Sequence, residues 1–272
     1  MKLPHLKTIL MIPVVLFVVF YLFGVFIVQG DDRTVEVIEN APSKSINIAI
    51  FGASGTAGDG ILKAALASSD IDKVHVITRR VTPRMEEGIK TGKILLTIHQ
   101  DYLDYSAMIG KLSDIDTVYW AIGISSLGMD EKTYGLIHVD FPMQFVAAWS
   151  EVNRSNALSF QFISSSDISE DSTTMWVRQK IRAEKLLFSF ADKNQMNVIA
   201  HRPDYIGATE EQAELLQNML YWFFAPIGAA IRAEQIGQAM LEVTARGKDF
   251  TNGDKLYTGK MIRYSDAYEK RQ

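Results

Sequence analysis

The hydrophobic pattern divides the chain into one long apolar segment and a later series of short apolar runs. Residues 8–30 carry no charged side chain and consist mostly of valine, leucine, isoleucine and phenylalanine. A single helix needs about 20 such residues to cross the hydrocarbon core of a bilayer. A buried core helix is seldom apolar on every face, and a signal peptide usually has a shorter apolar region before a small-residue cleavage site. The pattern therefore predicts an uncleaved membrane anchor within residues 1–30.

Beyond a polar tether at residues 31–45, strand-like runs alternate with helical segments. The runs have the length and composition of buried strands, and they occupy residues 46–52, 73–78, 94–98, 116–122, 158–164 and 197–201. Helices are predicted between most of them, including residues 103–112, 131–154 and 174–192. Strands that alternate with helices pair in parallel through crossover connections. The predicted fold class is α/β, a Rossmann-type doubly wound parallel sheet in one domain over residues 46–272.

Composition narrows the classes of function. The 272 residues are 47% hydrophobic and carry a net charge of −4, so one core of domain size is available and no strongly basic face is expected for nucleic acid. The chain has no cysteine, which excludes disulfides, thiolate nucleophiles and sulfur-ligated metals. The five histidines are scattered without ligand spacing, so no metal site is predicted. Residues 164–166 are serines without a nucleophile elbow around them, which disfavours a hydrolase.

A glycine-rich turn follows the first predicted strand and opens the first predicted helix. It consists of Gly52, Ala53, Ser54, Gly55, Thr56, Ala57 and Gly58. Glycine permits close approach of a pyrophosphate, and the start of the helix offers that anion free N–H groups and the positive end of the helix dipole. The spacing differs from the Gly-x-Gly-x-x-Gly of ordinary dinucleotide dehydrogenases, but the strand–turn–helix context is the one the fingerprint requires. The turn predicts a dinucleotide site, with a purely structural turn as the alternative.

Two arginines, Arg79 and Arg80, directly follow the second predicted strand. An acidic residue there would bind a ribose 2′-hydroxyl, whereas arginine accommodates a 2′-phosphate through charge-assisted hydrogen bonds. The pair therefore favours NADP, in its reduced form NADPH, over NAD, and plain solvated surface is the alternative. Asp101, three residues beyond the third strand, is a candidate contact for the adenine.

Several segments together resemble the atypical short-chain dehydrogenase/reductases, in particular the Tat-interacting-protein-like oxidoreductases. They are GASGTAG (52–58), TRR (78–80), DTVYWAIG (116–123), HVDF (138–141), FISSSD (162–167) and RPDYIG (202–207). The resemblance implies that the glycine-rich turn holds the NADP pyrophosphate and that Ala121 and Gly123 lie against the cofactor. It also implies that Ser165 and Lys180 take part in reduction.

One position departs from the pattern of that family. Trp176 stands four residues before Lys180, where the family has tyrosine. A phenol can donate the proton that hydride transfer requires, whereas an indole N–H can only form a hydrogen bond. Because positions i and i+4 share a helix face, Trp176 and Lys180 are expected to line the cofactor together, and Lys180 is expected to bind the ribose hydroxyls. The alternatives are that Trp176 belongs to the core and that Lys180 is an ordinary exposed lysine. Tyr134 and Tyr205, near strand-end loops, are the other candidate proton donors.

Two classes of function stay open. The favoured one is an NADP-dependent oxidoreductase that acts on a small carbonyl or alcohol substrate, with lipid-like compounds among the candidates. The alternative is a non-catalytic NADP-binding sensor or membrane assembly factor. The apolar residues 219–231 are too short for a comfortable second span; they fit a pocket wall, a homodimer surface or a patch resting on the membrane.

The side of the membrane on which the domain lies also stays open. Lys2 and Lys7 precede the apolar segment, and mainly acidic residues follow it, so the positive-inside rule places the N-terminus in the cytoplasm and the domain on the other side. A nucleotide cofactor is ordinarily supplied by the cytoplasm. The two arguments predict opposite orientations.

Overall fold

A seven-stranded parallel sheet forms the centre of the protein in the computed structural model, which describes residues 6–31, 33–38, 46–153 and 157–272. Its strands are β1 (Ile46–Phe51), β2 (Ile71–Thr78), β3 (Ile94–Ile98), β4 (Thr117–Trp120), β5 (Ser159–Ile163), β6 (Asn197–Arg202) and β9 (Lys255–Tyr257). Two further strands, β7 (Tyr205–Gly207) and β8 (Ala230–Arg232), form a separate parallel pair. The order across the sheet is β3-β2-β1-β4-β5-β6-β9. The order reverses between β1 and β4, and a crevice at such a switch point is where doubly wound sheets bind ligands.

Helices cover both faces of the sheet. They are α1 (Leu6–Gln29), α2 (Thr56–Ala67), α3 (Pro83–Lys90), α4 (Glu131–Gly135), α5 (Phe141–Val152), α6 (Met175–Asn194), α7 (Leu215–Phe224), α8 (Ala233–Ala245) and α9 (Thr258–Arg271). Short 3₁₀ turns occupy Ile109–Leu112, Ala225–Ile227 and Gly247–Asp249, and a π-helical turn, Leu136–Asp140, joins α4 to α5. The predicted doubly wound α/β class is confirmed.

Alternation along the central strand produces two cores. Ile48 and Ile50 of β1 pack on one face with α2, α8 and α9, whereas Ala49 and Phe51 pack on the other with α5 and α6. All four are fully buried, because successive strand residues point to opposite faces and both faces are covered by helices. The carboxyl end of β1, where the glycine-rich turn begins, is thereby packed between two layers of helices.

The predicted helix at residues 103–112 is wrong. Residues 103–108 form turns, and only Ile109–Leu112 adopts a 3₁₀ turn. The carboxylates of Asp101 and Asp104 accept hydrogen bonds from the backbone N–H groups of Leu103 and Ser106, at 2.9 Å each. Such local side-chain bonds compete with helical hydrogen bonding, and the apolar spacing did not reveal them.

Other predicted elements differ mainly in their ends. The helix predicted at 131–154 is α4, the π turn and α5, which ends at Val152; residue 154 lies outside the described part of the chain. The strand predicted at 116–122 is four residues long, because the chain leaves the sheet at Ala121. The helix predicted at 174–192 is α6.

Helix α1 contains the apolar stretch Met11–Gln29, which has a mean hydropathy of 2.9 and no buried share. Its length and composition suit a membrane span, although a signal sequence has the same properties. After it, Asp31 forms an ion pair with Arg263 of α9 at 3.0 Å, and Val35 packs against the core. The described part of the predicted tether thus contacts the domain; residues 32 and 39–45 lie outside the described chain.

Candidate functional site

The glycine-rich turn joins β1 to α2, and its three glycines differ in what requires them. Gly52 has a φ of +79°, and a Cβ there would lie 2.6 Å from the carbonyl of Ala121. A Cβ on Gly58 would lie 2.1 Å from the carbonyl oxygen of Gly52. A Cβ on Gly55 would meet only an ordinary contact at 3.5 Å. Packing therefore explains Gly52 and Gly58, whereas the space beside Gly55 is open for a ligand.

The start of α2 presents donors to that space. Gly55 is the N-cap residue and no side chain caps the helix, so N–H groups of the first turn, at Thr56 and Ala57, are left for another acceptor. The positive end of the helix dipole points the same way. This arrangement suits the pyrophosphate of a dinucleotide.

A cleft of about 590 Å³ opens at this edge of the sheet, across the switch point between β1 and β4. The predicted residues that line it are Gly52, Ser54, Gly55, Arg79, Arg80, Ala121 and Gly123. Residues that sequence reasoning missed also line it: Thr78, Tyr102, Ile122, Ile124, Ile137 and Phe141. The cleft thus combines a polar end at the glycine-rich turn and the two arginines with apolar walls, as small-molecule sites commonly do.

Arg79 and Arg80 lie at the rim of the cleft, where β2 ends. Both side chains are exposed. The Arg80 guanidinium donates a hydrogen bond to the carbonyl oxygen of Ser54 at 3.3 Å, which places its charge beside the glycine-rich turn. No carboxylate stands at this strand end, so the position is positively charged and fits a 2′-phosphate.

The next strand end holds an aromatic residue that the sequence did not single out. The Asp101 carboxylate accepts a hydrogen bond from the Leu103 N–H. Its neighbour Tyr102 lines the cleft, and Asp101 does not. Tyr102 is 5% exposed and stacks on Phe141 with ring centroids 5.4 Å apart. A flat apolar surface of this kind can support a planar base.

The segment that carries Tyr134 and His138 packs against Gly123 and Ile124, which line the cleft. His138 lies in the π-helical turn, and its Nε2 is 3.2 Å from both the N and the O of Ile124. A Cβ on Gly123 would lie 3.1 Å from the Cε1 of His138, and the Tyr134 ring stacks on the imidazole at 4.1 Å. Of this cluster, Tyr134 was predicted as a candidate proton donor, whereas His138 was not singled out, although the HVDF segment contains it.

Burial shifts the proton affinities of this cluster. Burial, together with the smaller effect of the nearby Lys180 charge, lowers the pKa of His138 to about 3, so the imidazole is neutral. Burial also lowers the pKa of Lys180 to about 8, against the opposite effect of Glu184. Burial raises the pKa of Tyr134 to about 12. At neutral pH the cluster therefore holds a neutral imidazole, a protonated phenol and an ammonium group that can lose its proton within a unit of physiological pH.

Three consecutive serines follow β5 and behave differently. The Ser164 hydroxyl donates to Glu184 at 2.6 Å, and the Ser166 hydroxyl donates to Asp204. Within the described residues, no hydrogen bond engages the half-buried Ser165 side chain. Ser165 is therefore the serine whose hydroxyl is left for a ligand.

Lys180 and Trp176 share a face of α6. The Lys180 Nζ donates to the carbonyl oxygen of Ile163, the last residue of β5, at 3.2 Å, so its ammonium group lies at the carboxyl edge of the sheet. Trp176 is half-buried in the first turn of α6 and is not among the residues that line the cleft. The predicted juxtaposition of Trp176 with a cofactor stays a prediction.

A buried ion pair fixes this edge. The Arg202 guanidinium donates to Glu184 of α6, with its Nε 2.9 Å from Oε1, and its Nη1 is 2.8 Å from the Tyr257 hydroxyl. Because Glu184 also accepts from Ser164, the ends of β5, β6 and β9 are tied to the helix that carries Lys180. Removing one partner of such a pair would leave an uncompensated buried charge.

No family model matches the chain. Leucinostatins biosynthesis cluster protein T from Purpureocillium lilacinum is 26% identical over 174 residues, which are 63% of this chain. The match covers 61% of that relative, so the chain matches less than two thirds of its length.

Solved structures show the fold. A short-chain dehydrogenase/reductase from Saccharomyces cerevisiae is 15% identical with a TM-score of 0.60, over 79% of this chain and 96% of its own. UDP-glucuronic acid 4-epimerase from Bacillus cereus, in complex with NAD, is 15% identical with a TM-score of 0.61, over 78% and 76%. BdcA in complex with NADPH is 14% identical with a TM-score of 0.59, over 79% and 93%. This chain has the Rossmann fold that is found in a short-chain dehydrogenase/reductase and in a UDP-sugar 4-epimerase.

Proposed function

We propose that the protein is a membrane-anchored, NADP-dependent oxidoreductase of the short-chain dehydrogenase/reductase type. One observation carries the proposal: the open space beside Gly55 and the charged rim formed by Arg79 and Arg80 belong to one cleft. The backbone N–H groups at the start of α2 would bind the pyrophosphate, and the two arginines would bind the 2′-phosphate. Tyr102 would lie against the adenine in place of, or beside, Asp101.

The chain's own groups can supply the proton that reduction needs. Bound NADPH would supply a hydride to a carbonyl carbon, and the carbonyl oxygen must then receive a proton. Tyr134 is the better of the two tyrosine candidates, because its ring packs against His138 beside Gly123, which lines the cleft. The Tyr205 hydroxyl already donates to the carbonyl oxygen of Gln217 at 3.3 Å. Ser165 would hold the substrate oxygen, and Lys180 the ribose hydroxyls.

One observation favours a second candidate, a non-catalytic NADP sensor or membrane assembly factor. Trp176 occupies the position at which the resembled family has its catalytic tyrosine, four residues before Lys180. An indole cannot act as the acid. In this alternative the cleft binds NADPH and no turnover follows.

Cofactor titration followed by a turnover assay tests the proposal. The full chain in detergent is titrated with NADPH and NADH, and NADPH oxidation is then followed over a panel of carbonyl compounds that includes apolar ones. We expect tighter binding of NADPH by at least about tenfold, a difference of about 1.4 kcal/mol. Failure to bind either cofactor would overturn the proposal, and tight binding without turnover over a broad panel would favour the sensor.

A further inference from the structure

Helix α7 presents an exposed apolar surface on the domain. It buries none of its residues, and no charged side chain occurs in residues 215–231. Its large apolar side chains are between 38% and 74% exposed: Leu215, Leu216, Met219, Leu220, Trp222 and Phe223. A contiguous apolar surface of this kind marks an interaction site.

The C-terminal end of α7 contacts the middle of α1. The Phe223 ring stacks on Tyr21 and Phe17, with centroids 5.2 and 6.1 Å apart. Ile227, in the 3₁₀ turn that follows, lies within 3.2 Å of the position a Cβ would take on Gly24. Packing therefore places the two apolar segments side by side over about two turns of α1.

The depth of this contact follows from helix geometry. Tyr21 precedes Gln29, the last residue of α1, by eight positions, which is about 12 Å at 1.5 Å per residue. Half of a hydrocarbon core is about 15 Å. If α1 spans a bilayer, a residue that stacks on Tyr21 lies deep within the leaflet that contains the C-terminal half of α1.

Backbone hydrogen bonding permits that position. A helix ends with unpaired carbonyl groups, which are costly in hydrocarbon. The Phe223 carbonyl accepts from the Tyr21 hydroxyl at 2.9 Å, which also provides the partner that this hydroxyl needs in an apolar phase. The Tyr221 and Phe224 carbonyls accept from the N–H groups of Ala225 and Ala229. Three of the last four carbonyl groups of α7 thus have partners without water.

We propose that α7 and the 3₁₀ turn after it, Leu215–Ile227, form a second membrane-inserted segment that enters one leaflet beside α1. The inference rests on the proposed membrane span by α1. The segment does not cross the bilayer; its first turn is capped by Glu214 and Gln217, which belong at the polar boundary. Because the Tyr205 hydroxyl of β7 donates to the carbonyl oxygen of Gln217, the inserted segment is joined to the β7–β8 pair of the domain.

Single-cysteine labelling tests this insertion, because the chain has no cysteine of its own. Met219→Cys and Leu216→Cys report on α7, Val19→Cys reports on α1, and Leu95→Cys on the edge strand β3 is the control. Met219 and Leu95 are 55% and 47% exposed, so the two labels are similarly accessible in the isolated chain. Each full-length variant carries an environment-sensitive fluorophore in phosphatidylcholine vesicles, and quenching by a doxyl-labelled lipid is compared with quenching by aqueous iodide.

We expect the doxyl lipid to quench the α7 and α1 labels several-fold more strongly than the Leu95 label, and iodide to show the reverse order. Lipid quenching at Val19 with iodide quenching at both α7 positions would leave the anchor standing and overturn the insertion of α7. Protection of the α7 labels from both quenchers would indicate that a second copy covers them, which also overturns it. If iodide quenches the Val19 label, α1 does not span the bilayer, and both the membrane anchor and the insertion of α7 are refuted. Equal lipid quenching at Leu95 would refute an insertion confined to α7.

Discussion

The substitution Gly55→Ala tests whether the glycine-rich turn binds a cofactor or serves only the fold. Gly55 has φ −98° and ψ 169°, which any residue adopts, and a Cβ would meet nothing closer than 3.5 Å. Replacing glycine by alanine restricts the unfolded chain and stabilises by about 0.4–1 kcal/mol. Alanine is a poorer N-cap residue, which costs about the same amount. We therefore expect Gly55→Ala to change the free energy of unfolding by less than about 1 kcal/mol.

The same methyl group would occupy the space that the proposed pyrophosphate needs. A phosphate oxygen displaced from a backbone N–H loses a charge-assisted hydrogen bond, worth about 1.5–3 kcal/mol. Because 1.4 kcal/mol is a factor of about ten, NADPH binding should weaken roughly 10- to 100-fold. The protein would remain folded and lose its cofactor.

Gly58→Ala is the matched control. Its Cβ would lie 2.1 Å from the carbonyl oxygen of Gly52 and 2.8 Å from the Cα of Ala53. Backbone atoms cannot move aside as a flexible side chain can, so this variant should lose about 1–3 kcal/mol or more of stability. The stability loss identifies a glycine that the fold itself requires.

Denaturant unfolding and NADPH titration on the full chain in detergent measure the two effects. If Gly55→Ala unfolds like the unchanged protein and binds NADPH with the same affinity, no pyrophosphate lies at this turn. The proposed cofactor site would then be refuted, whatever Gly58→Ala does.

Three further predictions concern the cofactor preference and the residues proposed to take part in reduction. Changing Arg79 and Arg80 together to alanine should remove most of the preference for NADPH over NADH, because the 2′-phosphate loses its cations; parallel titrations check this, and an unchanged preference contradicts it. Trp176→Tyr should raise carbonyl reduction by up to about 10²- to 10⁴-fold if no other acid operates, whereas if Tyr134 is the acid, Trp176→Tyr should change the rate little and Tyr134→Phe should reduce it by a similar factor. Burial lowers the pKa of Lys180 from 10.5 to about 8, so the unfolded state binds more protons between these values. The stability of the cofactor-free protein relative to Lys180→Met should therefore rise from pH 8 to pH 10, and parallel unfolding profiles would contradict it.

Local patterns in the sequence were enough for the fold class. The central strands of the sheet are short, mostly apolar runs, because helices cover both faces of the sheet. Such runs can be recognised in the sequence without knowledge of the tertiary structure. The glycine-rich turn was equally readable, since a positive φ at Gly52 and the close contact at Gly58 leave few other residues acceptable. The strand-end arginines followed from chain position alone, because parallel strands deliver their carboxyl ends to one edge.

The contacts between distant segments were decided by the tertiary structure. The Asp101 and Asp104 turns replaced a helix that apolar spacing favoured. The cluster of Tyr134, His138 and Lys180 comes from two helical segments that only packing brings together. No local pattern encodes such contacts, because burial, not sequence spacing, selects the partner.

The sequence by itself determined a long apolar helix, a Rossmann-type sheet and the turn suited to a dinucleotide, since each is written in short-range periodicity and glycine placement. It left the role of residues 219–231 open among a pocket wall, a dimer surface and a membrane patch. Only the tertiary structure put Phe223 against Tyr21. That contact joins residues about 200 positions apart, and it arises because two apolar surfaces without other partners exclude water together.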